Sequence, residues 1–166
     1  MNLVCRRLPP SEETLKFLSA FLEKPHIQNV LDDRLKTFYG IYDLMIGIRI
    51  GKIRVYGVFD INPPLRFLGC ELGELDPDGI SFEHHAFWDR HVATVNAVNL
   101  CKNYMKNEFK NEGISVKYAV GHIPDCNRAA QLFARRAGAK DEGLNPKWKY
   151  YKNGKEFPCR EFRIEV

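Results

Sequence analysis

The residues best suited to moving protons lie in Ile80-Ser81-Phe82-Glu83-His84-His85-Ala86-Phe87-Trp88, a run of apolar and aromatic residues that reads as a strand. Alternation places Ser81, Glu83, His85 and Phe87 on one face and Phe82, His84, Ala86 and Trp88 on the other. Glu83 and His85 are therefore candidate catalytic bases on a shared face, a carboxylate and an imidazole that can each accept a proton. A surface Glu and a hydrogen-bonded His without a catalytic role would use the same residue types. Cys126 stands just before a predicted helix start, where a thiolate is stabilised, but a small apolar residue in a turn accounts for it as well. His84, His85 and His91 with Cys101 or Cys126 do not form a metal set, because adjacent strand histidines point apart and no ligand-pair spacing recurs.

Around that strand the chain divides by its apolar period. Residues 2–8 read as a first strand, and Pro9-Pro10-Ser11-Glu12-Glu13 opens a helix with a cap and an acidic first turn. Leu15, Phe17, Leu18, Phe21 and Leu22 give this helix its buried side, which Lys24-Pro25 ends. A second helix carries Ile27, Val30, Leu31, Leu35 and Phe38 and stops before Gly40. From Ile41 to Leu75 alternation and β-branched residues predict antiparallel strands, among them Ile53 to Asp60 and Arg66 to Leu72. Met45 to Lys52 reads either as a strand or as a mobile edge. Asp76-Pro77-Asp78-Gly79 is a turn before the Glu83 strand.

A long helix over roughly Thr94 to Asn111 follows, with Val98, Cys101, Met105 and Phe109 inside and Gly113 as its stop. Next, Val116 to Ile123 forms an apolar strand that Pro124 and Asp125 end. Asn127 caps a helix with Leu132 and Phe133 on its buried side, and Gly138 closes it in a left-handed conformation. Two last strands, near Lys147 to Tyr151 and Arg160 to Val166, flank a hairpin loop at Asn153-Gly154.

The whole is one domain over residues 1–166: 166 residues, 45% of them hydrophobic, suffice for a single core and not for two. No apolar run approaches the roughly 20 residues that span a bilayer, and nothing at the start reads as a signal peptide. The five cysteines are scattered and lack Cys-x-x-Cys spacing, which argues against disulfides and structural zinc and fits a cytoplasmic protein. A net charge of +4 is mild enough for an ordinary solvated face. Trp148, Tyr150, Tyr151 and Phe157 among lysines suit either a nucleic-acid surface or a strand alternating inward aromatics with outward lysines.

The strand Val116 to Ile123, the Pro-Asp-Cys turn and the helix Asn127 to Gly138 resemble the second half of the Gcn5-related N-acetyltransferase (GNAT) core, and the predicted element order is that of the GNAT fold. The resemblance implies an α+β fold of α/β/α layers: a mixed, mostly antiparallel central sheet whose fourth and fifth strands run parallel and splay apart, flanked by helices. It implies transfer of an acetyl group from acetyl-CoA to an amine of unspecified kind. The acetyl-CoA site would comprise Phe87 and Trp88 at the end of the fourth strand, the loop Arg90, His91, Val92, Ala93, Thr94 and Val95, then Asn127 and Arg135. A loop entering a helix N-terminus suits a pyrophosphate because backbone N–H groups converge there. Arg90 and Ala93 match the family's loop, whereas Val95 stands where it has Gly or Ala. Ala134 aligns with the tyrosine that many members use to protonate the leaving thiolate, with Tyr118 or His122 as makeshift substitutes. Asn127 as a plain helix cap and Arg135 as a solvated cation remain the alternatives. Two other classes stay open: a catalytically degenerate GNAT-shaped binding factor, such as a phage assembly protein, and a nucleic-acid-binding module.

Overall fold

Strand alternation and helix stripes bury two separate apolar clusters, one on each side of a single sheet. A computed structural model describes residues 2–36, 38–89 and 95–166. In chain order the elements are β1 (Leu3–Arg7), α1 (Glu12–Leu22), α2 (Pro25–Gln28), α3 (Phe38–Arg49), β2 (Arg54–Asp60), β3 (Arg66–Leu75), β4 (Ser81–Trp88), α4 (Val95–Asn111), β5 (Tyr118–Pro124), α5 (Arg128–Arg136), β6 (Lys140–Lys152) and β7 (Lys155–Glu165). The described strands form one sheet ordered β1-β2-β3-β4-β5-β7-β6, antiparallel except at the parallel β4–β5 pair.

On one side α1, α2 and α3 pack Leu18, Phe21, Leu22, Ile27 and Ile48 against Val55, Cys70, Leu72 and Phe87 of the sheet. Ser11 starts α1 by accepting a hydrogen bond from the Thr14 N–H at 3.2 Å. On the other side α4 turns Ala97, Cys101, Met105 and Phe109 inward, a four-residue spacing that makes a narrow stripe over Tyr56, Val58, Leu68 and Phe82. α5 lies on the α4 side: the Arg135 guanidinium sits over the Phe162 ring, 5.5 Å from its centroid, and Phe162 pairs with Gly121, beside which His84 lies.

Some expected elements move. Ile41 to Arg49 is not strand but most of α3, because Leu44, Met45 and Ile48 meet the α1–α2 cluster at helical spacing, a tertiary gain that overrides the β-branched preference. Gly51, with φ of 75°, ends the turn after it. The expected second helix shrinks to α2. Residues 29–36 turn instead, held because Asp32 accepts hydrogen bonds from the Arg34 and Tyr151 N–H groups at 2.8 and 3.0 Å. In α5 the buried side chain is Gln131, whose amide donates to the carbonyls of Pro124 and Asp125, while Leu132 is 49% exposed. The last two strands are longer than expected and meet at Asn153-Gly154, both with positive φ, as a hairpin of that sequence requires.

The sheet opens at one place. β4 and β5 pair at Ser81–Tyr118, Phe82–Ala119 and Glu83–Val120 and then stop. Beyond that rung β4 stays paired with β3 as far as Trp88, and β5 stays paired with β7 as far as Pro124. Each strand is held from its outer side, so the two diverge and leave a wedge along about 16 Å of the β4 edge.

Candidate active site

The wedge gives β4 two different walls. Glu83 and His85 point to the α1–α3 side and His84 to the α4 side, as alternation required. Gly73 lets β3 approach closely here, since a Cβ on it would collide with the Glu83 carbonyl oxygen.

On the α1–α3 side Glu83 Oε1 stands 3.9 Å from His85 Nε2. Burial pushes the Glu83 carboxyl up to about 7, helped by the neighbouring Asp76, Glu74 and Glu161 carboxylates and opposed by His84. His85 is pushed down to about 4, first by burial and then by the nearby His84 and His122 rings. Its side chain is nevertheless 42% exposed, so solvent reaches the ring and offsets part of that downward push. A neutral imidazole and a carboxyl titrating near neutrality are both competent to take a proton.

Across the wedge His122 is 5% exposed and stacks on Trp148 with centroids 4.1 Å and planes 14° apart. Its Nε2 lies 3.6 Å from Glu161 Oε2. Burial lowers the His122 pKa against the opposing pull of Glu161. Against the upward push of burial, hydrogen bonds from Arg163 and Asn145 keep Glu161 below the ordinary carboxylate value. A cavity of about 230 Å³ adjoins the far end of β4, lined by His26, Ile27, Asn29, Val30, Ala86, Phe87 and Trp88. The hairpin of β6 and β7 closes over this side, where the Tyr150 hydroxyl donates to the Val30 carbonyl at 3.2 Å.

The residues expected at a coenzyme site are partly brought together. Phe87 and Trp88 line the cavity beside the open edge, and Val95 is the first residue of α4. Arg90, His91, Val92, Ala93 and Thr94 fall outside the described residues. Asn127 Oδ1 accepts the Ala130 N–H at 3.1 Å and so caps α5. Arg135 pairs with Asp141. Among the described residues the β4 edge past Glu83 has no strand partner and the buried Trp88 Nε1 has no hydrogen-bond partner. An unpaired strand edge against an apolar cavity fits an extended amide-bearing thiol arm. Among the described residues no group of three His, Cys, Asp or Glu side chains is placed to hold a metal, and no helix is long and apolar enough to cross a membrane.

Sequence reasoning missed Glu71 and Glu161. A lone carboxylate inside the apolar run Phe67 to Leu72 was the one available signal for the first. The second needed the β5–β7 register, which pairs it with His122.

A mixed sheet with one splayed parallel pair, layered between helices, defines a fold class, and comparison with solved structures says which. No family model and no curated protein sequence matches the chain. An acetyltransferase from Salmonella typhimurium that modifies the N-terminal serine of ribosomal protein L7/L12 aligns at a TM-score of 0.73 and 14% identity, covering 100% of this chain and 96% of its own. Spermidine N-acetyltransferase from Vibrio cholerae, in complex with CoA and spermine, aligns at 0.72 and 17%, covering 99% and 95%. The microcin C7 self-immunity acetyltransferase MccE, in complex with acetyl-CoA and AMP, aligns at 0.69 and 14%, covering 98% and 93%. The chain has the GNAT fold. The comparisons give no support to the phage, assembly-factor or nucleic-acid alternatives.

Proposed function

We propose that this protein is an N-acetyltransferase that moves an acetyl group from acetyl-CoA to an amine. The observation that carries the reading is the wedge beyond Glu83–Val120, flanked on one side by two proton acceptors. Acetyl-CoA, when bound, supplies the acetyl group already activated as a thioester. The β4 edge from His84 to Trp88, with the cavity beside Phe87 and Trp88, would hold its arm, and the loop Arg90, His91, Val92, Ala93, Thr94 and Val95 would receive its phosphates. Backbone N–H groups of the free edge are the donors available to a carbonyl oxygen that gains negative charge.

Glu83 is the general base, with His85 next to it as the relay or second base. An ammonium cannot attack, so the base must remove a proton, and a carboxylate raised to about 7 does this near neutral pH. Asn127 keeps the first turn of α5 in place, and Arg135 serves phosphate binding only by leaving Asp141.

The test begins with binding. Acetyl-CoA at a hundred times its Kd stabilises the native state by about 2.7 kcal/mol, a rise of about 5–10 °C in a chain of this size. Thiol release on adding amines then measures transfer. A thermal midpoint unmoved by millimolar acetyl-CoA would refute the reading.

A further inference from the structure

Glu71 is 2% exposed and lies in β3 on the α4 side of the sheet. Its Oε2 is 3.5 Å from His84 Nδ1, an ion-pair approach and not a hydrogen bond, and neither its Oε1 nor His84 Nδ1 has a hydrogen-bond partner among the described residues. A carboxylate at such depth needs a partner. Among the described residues no Lys or Arg pairs with it, so His84 is the group that answers it. The ring lies with Nδ1 toward Glu71 and its far end toward β5. Nε2 comes to 3.4 Å from the place a Cβ on Gly121 would occupy. His84 and Gly121 are the first residues of β4 and β5 past the last shared rung. Nε2 therefore stands at the vertex of the wedge, on the face opposite Glu83 and His85.

We propose that His84 is the general acid that protonates the departing thiolate, with Glu71 as the residue that positions its ring. The assignment rests on the acetyl-transfer reading above. As the neutral amine nitrogen bonds to the acetyl carbon, the carbon–sulfur bond breaks and its electron pair goes to sulfur. The proton on His84 Nε2 passes to that sulfur, and Glu83, having released the ammonium's first proton to water, takes the second proton shed by the nitrogen. The ring keeps its Nδ1–H against Glu71. The products are a neutral amide and a neutral thiol, and one proton returned through water from Glu83 to His84 resets the site. A thiol with an ordinary pKa near 8.5 leaves more readily protonated than as thiolate at neutral pH. Opposite faces of one strand keep acid and base apart, so they serve the two ends of the reaction without exchanging the proton directly.

The decisive measurement needs no variant: ring ¹⁵N signals of His84 in the wild-type chain titrated with CoA or with desulfo-CoA, which lacks the sulfur. CoA is expected to shift the Nε2 signal and desulfo-CoA to leave it in place. In His84→Gln, kcat should fall about 100-fold while the KM for acetyl-CoA stays within about twofold. Equal Nε2 responses to the two ligands, or a loss carried by KM, would overturn the assignment alone. Absence of any CoA binding would overturn both it and the acetyl-transfer reading.

Discussion

Glu83 and Val120 form the last rung between β4 and β5, and the next residue on β5 is a glycine. Below that rung the sheet is continuous; above it the two strands follow different partners. Gly121 has an ordinary negative-φ or extended backbone, so a side chain is tolerated there conformationally and would crowd the vertex against the His84 ring. Gly121→Leu should remain folded and lose the rise in thermal midpoint with acetyl-CoA. A retained shift of several degrees would place the arm elsewhere.

The Glu83 carboxyl sets the pH response. A base must be ionised to act, so kcat/KM should rise through a midpoint near 7, and Glu83→Gln should remove that limb and about 10²–10⁴ of the rate. Stability runs the other way. The folded value, about 7, lies above the ordinary 4.5, so the folded state binds the proton more tightly and loses stability as pH rises from about 4.5 to 7. Glu83→Gln should thus raise the thermal midpoint at pH 8 and leave it unchanged near pH 4.

Two strands across the sheet from Gly121, Asp141 accepts from Arg160 Nε at 3.1 Å and from Arg135. Burial pushes its carboxyl up, yet these two bonds and the Gly143 N–H bring it down to about 2. Because that lies below the ordinary 3.8, its contribution is full above about 4 and is lost as pH falls toward 2. Asp141→Asn should destabilise by about 1–3 kcal/mol at pH 7 and by much less at pH 2, read from denaturant unfolding at both pH values.

Asp32 ties the β6–β7 hairpin to the turn after α2. Its carboxylate accepts from the Tyr151 N–H at 3.0 Å and from the Arg34 guanidinium, which in turn donates to the Lys149 carbonyl at 2.7 Å. Asp32→Ala should speed hydrogen exchange at the Tyr151 amide well before global unfolding. It should raise the acceptor KM while the stabilisation by acetyl-CoA persists. Unchanged exchange at Tyr151 would mean that the Asp33–Tyr151 backbone bond, 2.8 Å long, suffices alone.

Deleting core volume gives a last check on the α4 side. Phe82 is fully buried, with its ring 6.1 Å from Tyr56 and 5.5 Å from Phe109. Phe82→Ala should cost about 3–5 kcal/mol, measured by urea unfolding. A loss under 1 kcal/mol would show that α4 does not rely on this contact.

Much of this architecture is written in local patterns. The four-residue spacing of Cys101, Met105 and Phe109, the Ser11 and Asn127 caps, Asn153-Gly154 and the alternation that puts Glu83 and His85 on one face all act within a few residues, so they are legible along the chain. The helix from Phe38 to Arg49 was not, because isoleucines two apart satisfy a strand while Leu44 and Ile48 satisfy a helix, and only packing against α1 and α2 chooses between them. The pairing of His84 with Glu71 and the opening beyond Val120 depend on cross-strand register and on which outer neighbour holds each strand. These are contacts between residues far apart in sequence. The chain alone therefore determined which side chains could handle protons and on which faces of a strand, and the tertiary structure decided which of them border the opening and with whom each is paired.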